Sequence, residues 1–406
     1  MMESYLRDQV DWKLLFLTVA LVGLGLVSIY SATYDAGASE NFSKQIVFAV
    51  IGLLAMVGTM LIPFRTLQLL SYVLYGGSIL LLAGVLVGGR TVSGSTSWFT
   101  IGPVSLQPSE FVKLTTVLAV ASFLSRSNVD LDRFKDLAGT FALVLVPVFL
   151  ILLQPDLGTA LVFILMIIPI IYWSGASSFT VIAILSPGIA GLAALFGLTP
   201  FLLSIALILA ALWVSKRNRF IAAIAFSVTV LIGVSVQYIY QALPTYQQRR
   251  INAFLDPNTD PLGGGYNVIQ STVAIGSGGL WGKGYLRGTQ TQLNFIPEQW
   301  TDFIFCVPGE EFGFVGAFVV LLLLILVLFR GVRIASIVKN HYASIAAVGV
   351  AAVLGVHIVI NVGMSVGLLP VIGIPLPFLS YGGSSLISNM MMVGLLMNFY
   401  ANRKEY

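Results

Sequence analysis

The chain has 406 residues, of which 57% are hydrophobic and only 9% charged, with a formal net charge of +4. Soluble domains carry nearer a quarter of their residues as charges, so a water-exposed globular surface is excluded and the chain reads as a polytopic, all-α membrane protein. Its basic residues report topology before any affinity for nucleic acid, and one cysteine with two histidines excludes an intramolecular disulfide and argues against a His/Cys metal centre.

A spanning helix needs about 20 mainly apolar residues. The first such run, 12–31, has no clear cleavage site after it and reads as a span rather than a signal peptide. Runs at 45–62 and 67–88 follow. The fourth, 108–124, is introduced by Gln107-Pro108-Ser109-Glu110-Phe111-Val112-Lys113. Proline suits a first helical turn, where its missing N–H would be unsatisfied anyway, and Glu110 and Lys113 share one helix face. Two charges in a membrane are costly unless they pair or face a polar cavity. They predict a self-neutralising ion pair that holds helices together, a cavity for a charged ligand, or both. Runs at 137–153 and 158–174 are joined by Gln154-Pro155-Asp156-Leu157-Gly158, where Asp156 either caps the next helix or contacts a ligand or the long loop. Runs at 179–197, 201–214 and 220–240 come next. The 201–214 run is short for a span, so it is either half of a hairpin with 179–197 or re-entrant.

Residues 241–309 form a connection too long for an ordinary loop, and loops of that length are usually functional or disordered. Its Tyr, Phe, Trp, Ile and Leu residues equip it to fold. Arg249 and Arg250 precede two Asp-Pro steps, Asp256-Pro257 and Asp260-Pro261, and then Gly263-Gly264-Gly265. Carboxylates beside cations in a charge-poor chain suit a general base or a metal ligand; Asp-Pro also makes plain Asx-turns. The run Gly276-Ser277-Gly278-Gly279-Leu280-Trp281-Gly282-Lys283-Gly284 lacks the ending of a nucleotide P-loop. It reads as a flexible linker or as an anion nest with charge from Lys283 and Arg287. Asp302, Glu310 and Glu311 then lie near the next span, where capping and anchoring roles compete with chemistry. Runs at 311–329, 343–366 and 384–400 complete twelve candidates, and Pro370 to Ser385, with Ser380 inside it, reads as non-helical backbone beside the membrane.

With a cytoplasmic N-terminus, fourteen Lys and Arg fall on inner segments and six on outer ones (Lys44, Arg90, Arg249, Arg250, Lys283 and Arg287), while Lys113 lies within a span. That split follows the positive-inside rule. It places residues 241–309 outside and both termini inside. The chain reads as one integral domain, residues 1–406.

The ordered set Trp98-Phe99 with Gln107-Pro108-Ser109-Glu110, Gln154-Pro155-Asp156-Leu157-Gly158, Asp260-Pro261 with Gly265-Tyr266, Thr301-Asp302-Phe303-Ile304-Phe305, and Pro375-Leu376-Pro377-Phe378 with Ser380-Tyr381-Gly382-Gly383-Ser384 resembles the SEDS family (shape, elongation, division, sporulation), with its RodA, FtsW and SpoVE branches. Ala274-Ile275-Gly276-Ser277-Gly278-Gly279 with Gly288-Thr289-Gln290 is more similar to the RodA branch. The resemblance implies a bundle of ten core transmembrane helices, so residues 179–219 stand out as an extra hairpin. It implies a peptidoglycan glycosyltransferase in the bacterial cytoplasmic membrane that polymerises lipid II during elongation. Its partners would be lipid II and undecaprenyl-pyrophosphate-linked glycan, a class B penicillin-binding protein and other membrane proteins of the elongation complex. The family's essential loop aspartate maps onto Asp260, preferred over Asp256, and its intramembrane Glu and Lys map onto Glu110 and Lys113. Arg249, Arg250, Lys283 and Arg287, or a divalent cation such as Mg or Mn, would stabilise the departing diphosphate. Asp156, Asp302 and Ser380 are further candidates. A lipid II flippase and a non-catalytic scaffold for cell-wall enzymes are the rival readings.

Overall fold

The computed structural model describes residues 9–34, 39–92, 94–101, 104–214, 219–243, 245–256 and 265–405. Each of the twelve apolar runs coincides with a helix: α1 (Trp12–Tyr34), α2 (Ser39–Leu61), α3 (Phe64–Gly88), α4 (Pro108–Leu124), α5 (Phe134–Leu152), α6 (Leu157–Trp173), α7 (Ser178–Leu195), α8 (Leu198–Val214), α9 (Arg219–Ala242), then α14 (Gly313–Ile337), α15 (His341–Ser365) and α16 (Gly383–Ala401). Seven are long and apolar enough to cross a membrane by length and composition. α6 and α8 are shorter apolar helices, and α4 and α16 carry the polar groups described below. The long connection holds four short helices, α10 (Thr245–Leu255), α11 (Tyr266–Ser277), α12 (Thr289–Gln292) and α13 (Cys306–Glu311).

The all-α expectation holds, with one small sheet beside the helices. Between α3 and α4 lies a three-stranded antiparallel sheet, β1 (Arg90–Val92), β2 (Ser95–Ile101) and β3 (Val104–Leu106). Phe99 pairs with Leu106 and Arg90 with Trp98, and the register shifts between Arg90 and Thr91. Thr, Val, Ile, Trp and Phe favour the pleated backbone, and the segment is too polar to join either flanking span. Ser95 Oγ donates to the Gln154 carbonyl at 2.6 Å, and Gln154 Nε2 donates to the Leu82 carbonyl at 3.1 Å. The sheet is thereby tied to the α5–α6 turn.

The chain divides into two compact units. In the first (residues 1–129, 138–170 and 267–406) α15 is the most buried of the seven helices long and apolar enough to cross a membrane. α16 packs along α2, where a Cβ on Gly394 would collide with Thr59 Oγ1 and the Met56 carbonyl. Only glycine allows that approach. Asn398 Nδ2 donates to the carbonyls of Met60 (2.8 Å) and Ile62 (2.5 Å), which the end of α2 leaves without helical partners. Asp11 bonds Arg330 across an ion pair of 2.5 Å.

The second unit (residues 130–137 and 171–266) has its own apolar cluster. Phe179, Ala190, Ile208 and Leu212 are buried, with Ile182, Phe201 and Phe226 packed on them. Ser177 caps α7 by accepting from Thr180 N–H, and Ser186 bonds Thr229 at 2.8 Å. The 179–197 and 201–214 runs therefore form a helical hairpin, α7–α8, packed on α9.

Candidate functional site

Pro108 opens α4 in its first turn, and Gln107 before it is extended. This start points Glu110 and Lys113 into the first unit, 3% and 1% exposed, with Lys113 Nζ 2.8 Å from Glu110 Oε1. The ammonium also lies 2.9 Å from His357 Nε2 on α15, and His357 Nδ1 faces the Pro375 carbonyl at 3.3 Å. A carbonyl can only accept, so Nδ1 carries the proton and Nε2 accepts from Lys113. Glu110 Oε2 and Ser109 Oγ are buried with no hydrogen-bond partner among the described residues. Buried polar atoms normally find one, so this pocket holds unspent hydrogen-bonding capacity beside a fixed charge pair. The ion-pair reading of Glu110 and Lys113 holds, with His357 as a third member.

Four of the motifs meet around this pocket. Gln107 N–H donates to Ser384 Oγ at 3.0 Å, and Ser388 Oγ donates to the Glu110 carbonyl at 2.8 Å. Gln107 Nε2 reaches Asp156 Oδ2 at 3.5 Å. Asp156 caps α6, accepting from Thr159 N–H (3.0 Å) and Thr159 Oγ1 (2.8 Å). Asn361 Nδ2 donates to the carbonyls of Asp302 (2.8 Å) and Ile374 (2.7 Å). Ser380 Oγ donates to the Thr301 carbonyl at 2.6 Å and accepts from Leu376 N–H at 2.8 Å. Tyr381 N–H donates to the Trp300 carbonyl at 2.8 Å. Ser380 is thus a staple between the 300–302 and 376–381 backbones, and residues 376–380 of the non-helical stretch after Pro370 are buried against protein.

The glycine run packs closely against the 309–311 backbone and is no loose linker. Cβ atoms on Gly278 and Gly282 would strike the carbonyls of Gly309 and Glu311, and Gly282 has φ +80°. Lys283 N–H and Gly284 N–H donate to the carbonyls of Glu310 and Glu311, each at 3.0 Å. Those two N–H groups are spent on the carbonyls and cannot also face an anion. Lys283 Nζ bonds the fully buried Glu310 at 2.7 Å. The same carboxylate accepts from Gln290 N–H (2.8 Å) and Thr291 N–H (2.9 Å), capping α12. Burial alone would raise the Glu310 pKa; these N–H bonds and the Lys283 ammonium outweigh it and hold the group below its ordinary value. Its neighbour Glu311 goes the other way. Burial dominates and raises it, the Glu310 charge adds to the rise, and bonds from Ser31, Gln292 and Leu286 oppose it. Ser31 Oγ sits 2.5 Å from Glu311 Oε1.

In the second unit, Arg249 on α10 and Asp256 just after it are exposed, and Asp256 N–H donates to the Asn252 carbonyl at 2.9 Å. Arg287 is exposed in the turn before α12. Asp260 and the Arg250 side chain lie outside the described residues. Among the described residues no three of His, Cys, Asp and Glu assemble into a metal-binding group. His357, Asn361 and Gln299 escaped the sequence reading. Gln299, fully buried, donates to the carbonyls of Ala32 (2.8 Å) and Thr291 (2.9 Å). The available signal was a polar side chain stranded in an apolar run, which is costly without a partner.

A family model described as cell cycle protein, covering FtsW, RodA and SpoVE, matches residues 12–222 and 196–405. Peptidoglycan glycosyltransferase RodA of Treponema pallidum is 36% identical, over 97% of this chain and 98% of its own length. Peptidoglycan glycosyltransferase MrdB of Escherichia coli is also 36% identical, over 98% of this chain and 95% of its own. A chain in the structure of a peptidoglycan synthase complex, solved for its coordination of polymerization and crosslinking, superposes with a TM-score of 0.75 at 34% identity, covering 98% of this chain and 99% of that one. Rod shape determining protein RodA of Thermus thermophilus, solved as an aspartate-to-alanine mutant, gives 0.66 at 29% identity over 98% and 99%. With matches along nearly its whole length, the chain belongs to the FtsW/RodA/SpoVE family of cell cycle proteins, the SEDS family that its motifs resemble.

Proposed function

We infer that the chain is a peptidoglycan glycosyltransferase of the cytoplasmic membrane that polymerises lipid II on the outer face. The observation that carries this is the 36% identity to two proteins named peptidoglycan glycosyltransferase, over nearly the full length of each. The buried Lys113–Glu110–His357 group, with an unpartnered carboxylate oxygen, supports the polar cavity that such a substrate needs.

In the proposed reaction the 4-hydroxyl of one lipid II attacks the anomeric carbon of the growing glycan. The new glycosidic bond forms as the bond to undecaprenyl pyrophosphate breaks. An α-linkage becomes a β-linkage in one inverting displacement, so no covalent enzyme intermediate is required. A sugar hydroxyl is a poor nucleophile, and a base must take its proton as attack proceeds. Asp260 is that base. It follows Arg249 and Arg250 in sequence and precedes three glycines, a composition suited to a carboxylate working beside a diphosphate. Arg249, Arg250 and Arg287 offset the leaving charge, and Lys283 joins them only by giving up Glu310. A class B penicillin-binding protein cross-links the product. The RodA-like loop favours elongation over division.

Purified protein with lipid II, with and without a class B partner, tests the reading. Asp260→Asn should cut polymerisation by about 10²–10⁴-fold, the usual contribution of a general base, while membrane insertion and partner binding persist. Wild-type turnover by that variant removes Asp260 from the role. Movement of labelled lipid without glycan from the wild type would overturn the enzymatic reading itself.

A further inference from the structure

We propose that the groove between the first turns of α3 and the last turn of α4 is a binding site for the phosphate of an anionic phospholipid. The groove has a volume of about 640 Å³ and is lined by Arg65, Gln68, Leu69, Tyr72, Ser122, Ser125 and Arg126. None of these belongs to the pocket around Lys113 or to the long connection.

Three observations converge on an anion. Two arginines line one concavity, and guanidinium is the side chain best matched to phosphate oxygens. Arg126 is pre-set: it donates to the Tyr72 hydroxyl at 2.9 Å, and its Cζ lies 5.4 Å from the Tyr72 ring centre and 5.6 Å from that of Phe123. A guanidinium held this way loses little freedom when a ligand arrives. The groove also lies at the N-terminal end of the 25-residue α3, where the helix dipole favours negative charge, with Thr66 N–H and Leu67 N–H already given to the Pro63 carbonyl.

Two further observations choose a lipid over a soluble phosphate. Leu69, on the groove wall, is 80% exposed, and Val73 one turn on is 68% exposed. The polar end therefore continues into an apolar flank that acyl chains can cover. The charge distribution of the sequence places Arg65 and Arg126 on the cytoplasmic side, where anionic lipids attract basic pockets between helices. One protein carboxylate competes: Arg65 Nη2 lies 3.9 Å from Glu405 Oε2, both side chains exposed. A long, exposed pair of this kind is weak and yields to a phosphate.

The test uses the full chain in detergent, titrated with phosphatidylglycerol, phosphatidylcholine or inorganic phosphate, with bound lipid read by native mass spectrometry. Phosphatidylglycerol should bind the wild type and phosphatidylcholine should not. The double variant Arg65→Gln/Arg126→Gln should bind phosphatidylglycerol at least about tenfold more weakly, and Glu405→Gln more tightly than wild type. Equal binding by the double variant and wild type overturns the site, and protection by inorganic phosphate equal to that by lipid overturns its assignment to lipid. Should the double variant misfold, Arg126→Lys keeps the charge without the planar fork. Wild-type affinity in that variant also counts against the proposal.

Discussion

Lys113 illustrates what a buried charge demands. Its ammonium bonds a carboxylate and an imidazole and is 1% exposed. Removing one member of a buried pair leaves an uncompensated charge, at a cost of about 3–5 kcal/mol. Lys113→Met should therefore melt well below wild type in detergent, and Glu110→Gln/Lys113→Met should recover most of the loss. A double variant no better than the single would show that the two do not act as a pair. Glu310 and Glu311 make opposite predictions about pH. Glu310 is held below its ordinary value, so its contribution is full above the unfolded carboxylate pKa of about 4.3 and fades as pH falls through the lower folded value. Glu310→Gln should lower the neutral-pH melting point and flatten that acid limb. Glu311 is raised, so the fold is favoured below the unfolded pKa and loses stability as pH rises through the folded value. Glu311→Gln should remove that decline and melt no lower than wild type at pH 7. Thermal scans against pH read both. The residue types announced Glu110 and Lys113, because charges three apart in an apolar run are conspicuous. They could not announce that His357, 244 positions on, completes the group, or that Lys283 is held by Glu310, because such contacts exist only once the helices are packed.

Helices in this chain approach as closely as their side chains permit. The packing of α2 on α16 depends on Gly394, whose Cβ would meet backbone as well as Thr59. Gly394→Ala should destabilise by about 1–3 kcal/mol, the usual penalty of overpacking. Gly76 on α3 has nothing within 4 Å of an added Cβ, so Gly76→Ala should gain up to about 1 kcal/mol of helix propensity. Detergent melting of the two variants side by side checks the contrast. Long elements were legible because apolar runs of spanning length have few alternatives, and all twelve helices lie where those runs fall. The short ones were not. α12 has four residues and depends on Glu310 to satisfy its first N–H groups, a partner 19 positions away. The strands after α3 were missed for a related reason. Their signal is β-branched and aromatic residues over at most seven positions, and pairing decides the outcome. Asp156 shows the reverse case, where a short-range rule sufficed, because a cap reaches only three residues ahead.

At the scale of the molecule the prediction concerns sidedness. With a cytoplasmic N-terminus, nine crossings before residues 241–309, or seven if α7 and α8 do not cross, would leave that segment on the outer side, opposite the charge-rich connections. Leu280, 65% exposed, and Lys404, exposed near the C-terminus, sample the two faces. In intact cells an impermeant maleimide should label Leu280→Cys, and should label Lys404→Cys only after permeabilisation. The reverse pattern would put the long connection out of reach of an extracytoplasmic substrate. The native Cys306 need not be replaced for this work. It is fully buried in a cluster with Ala274, Ile296 and Phe303, and burial, with the Glu310 charge nearby, pushes its thiol well above the ordinary range. A sulfur so placed stays protonated and sealed, whichever face of the membrane its segment meets. As the chain's single cysteine, it leaves oxidants and disulfide-forming catalysts no accessible thiol to seize.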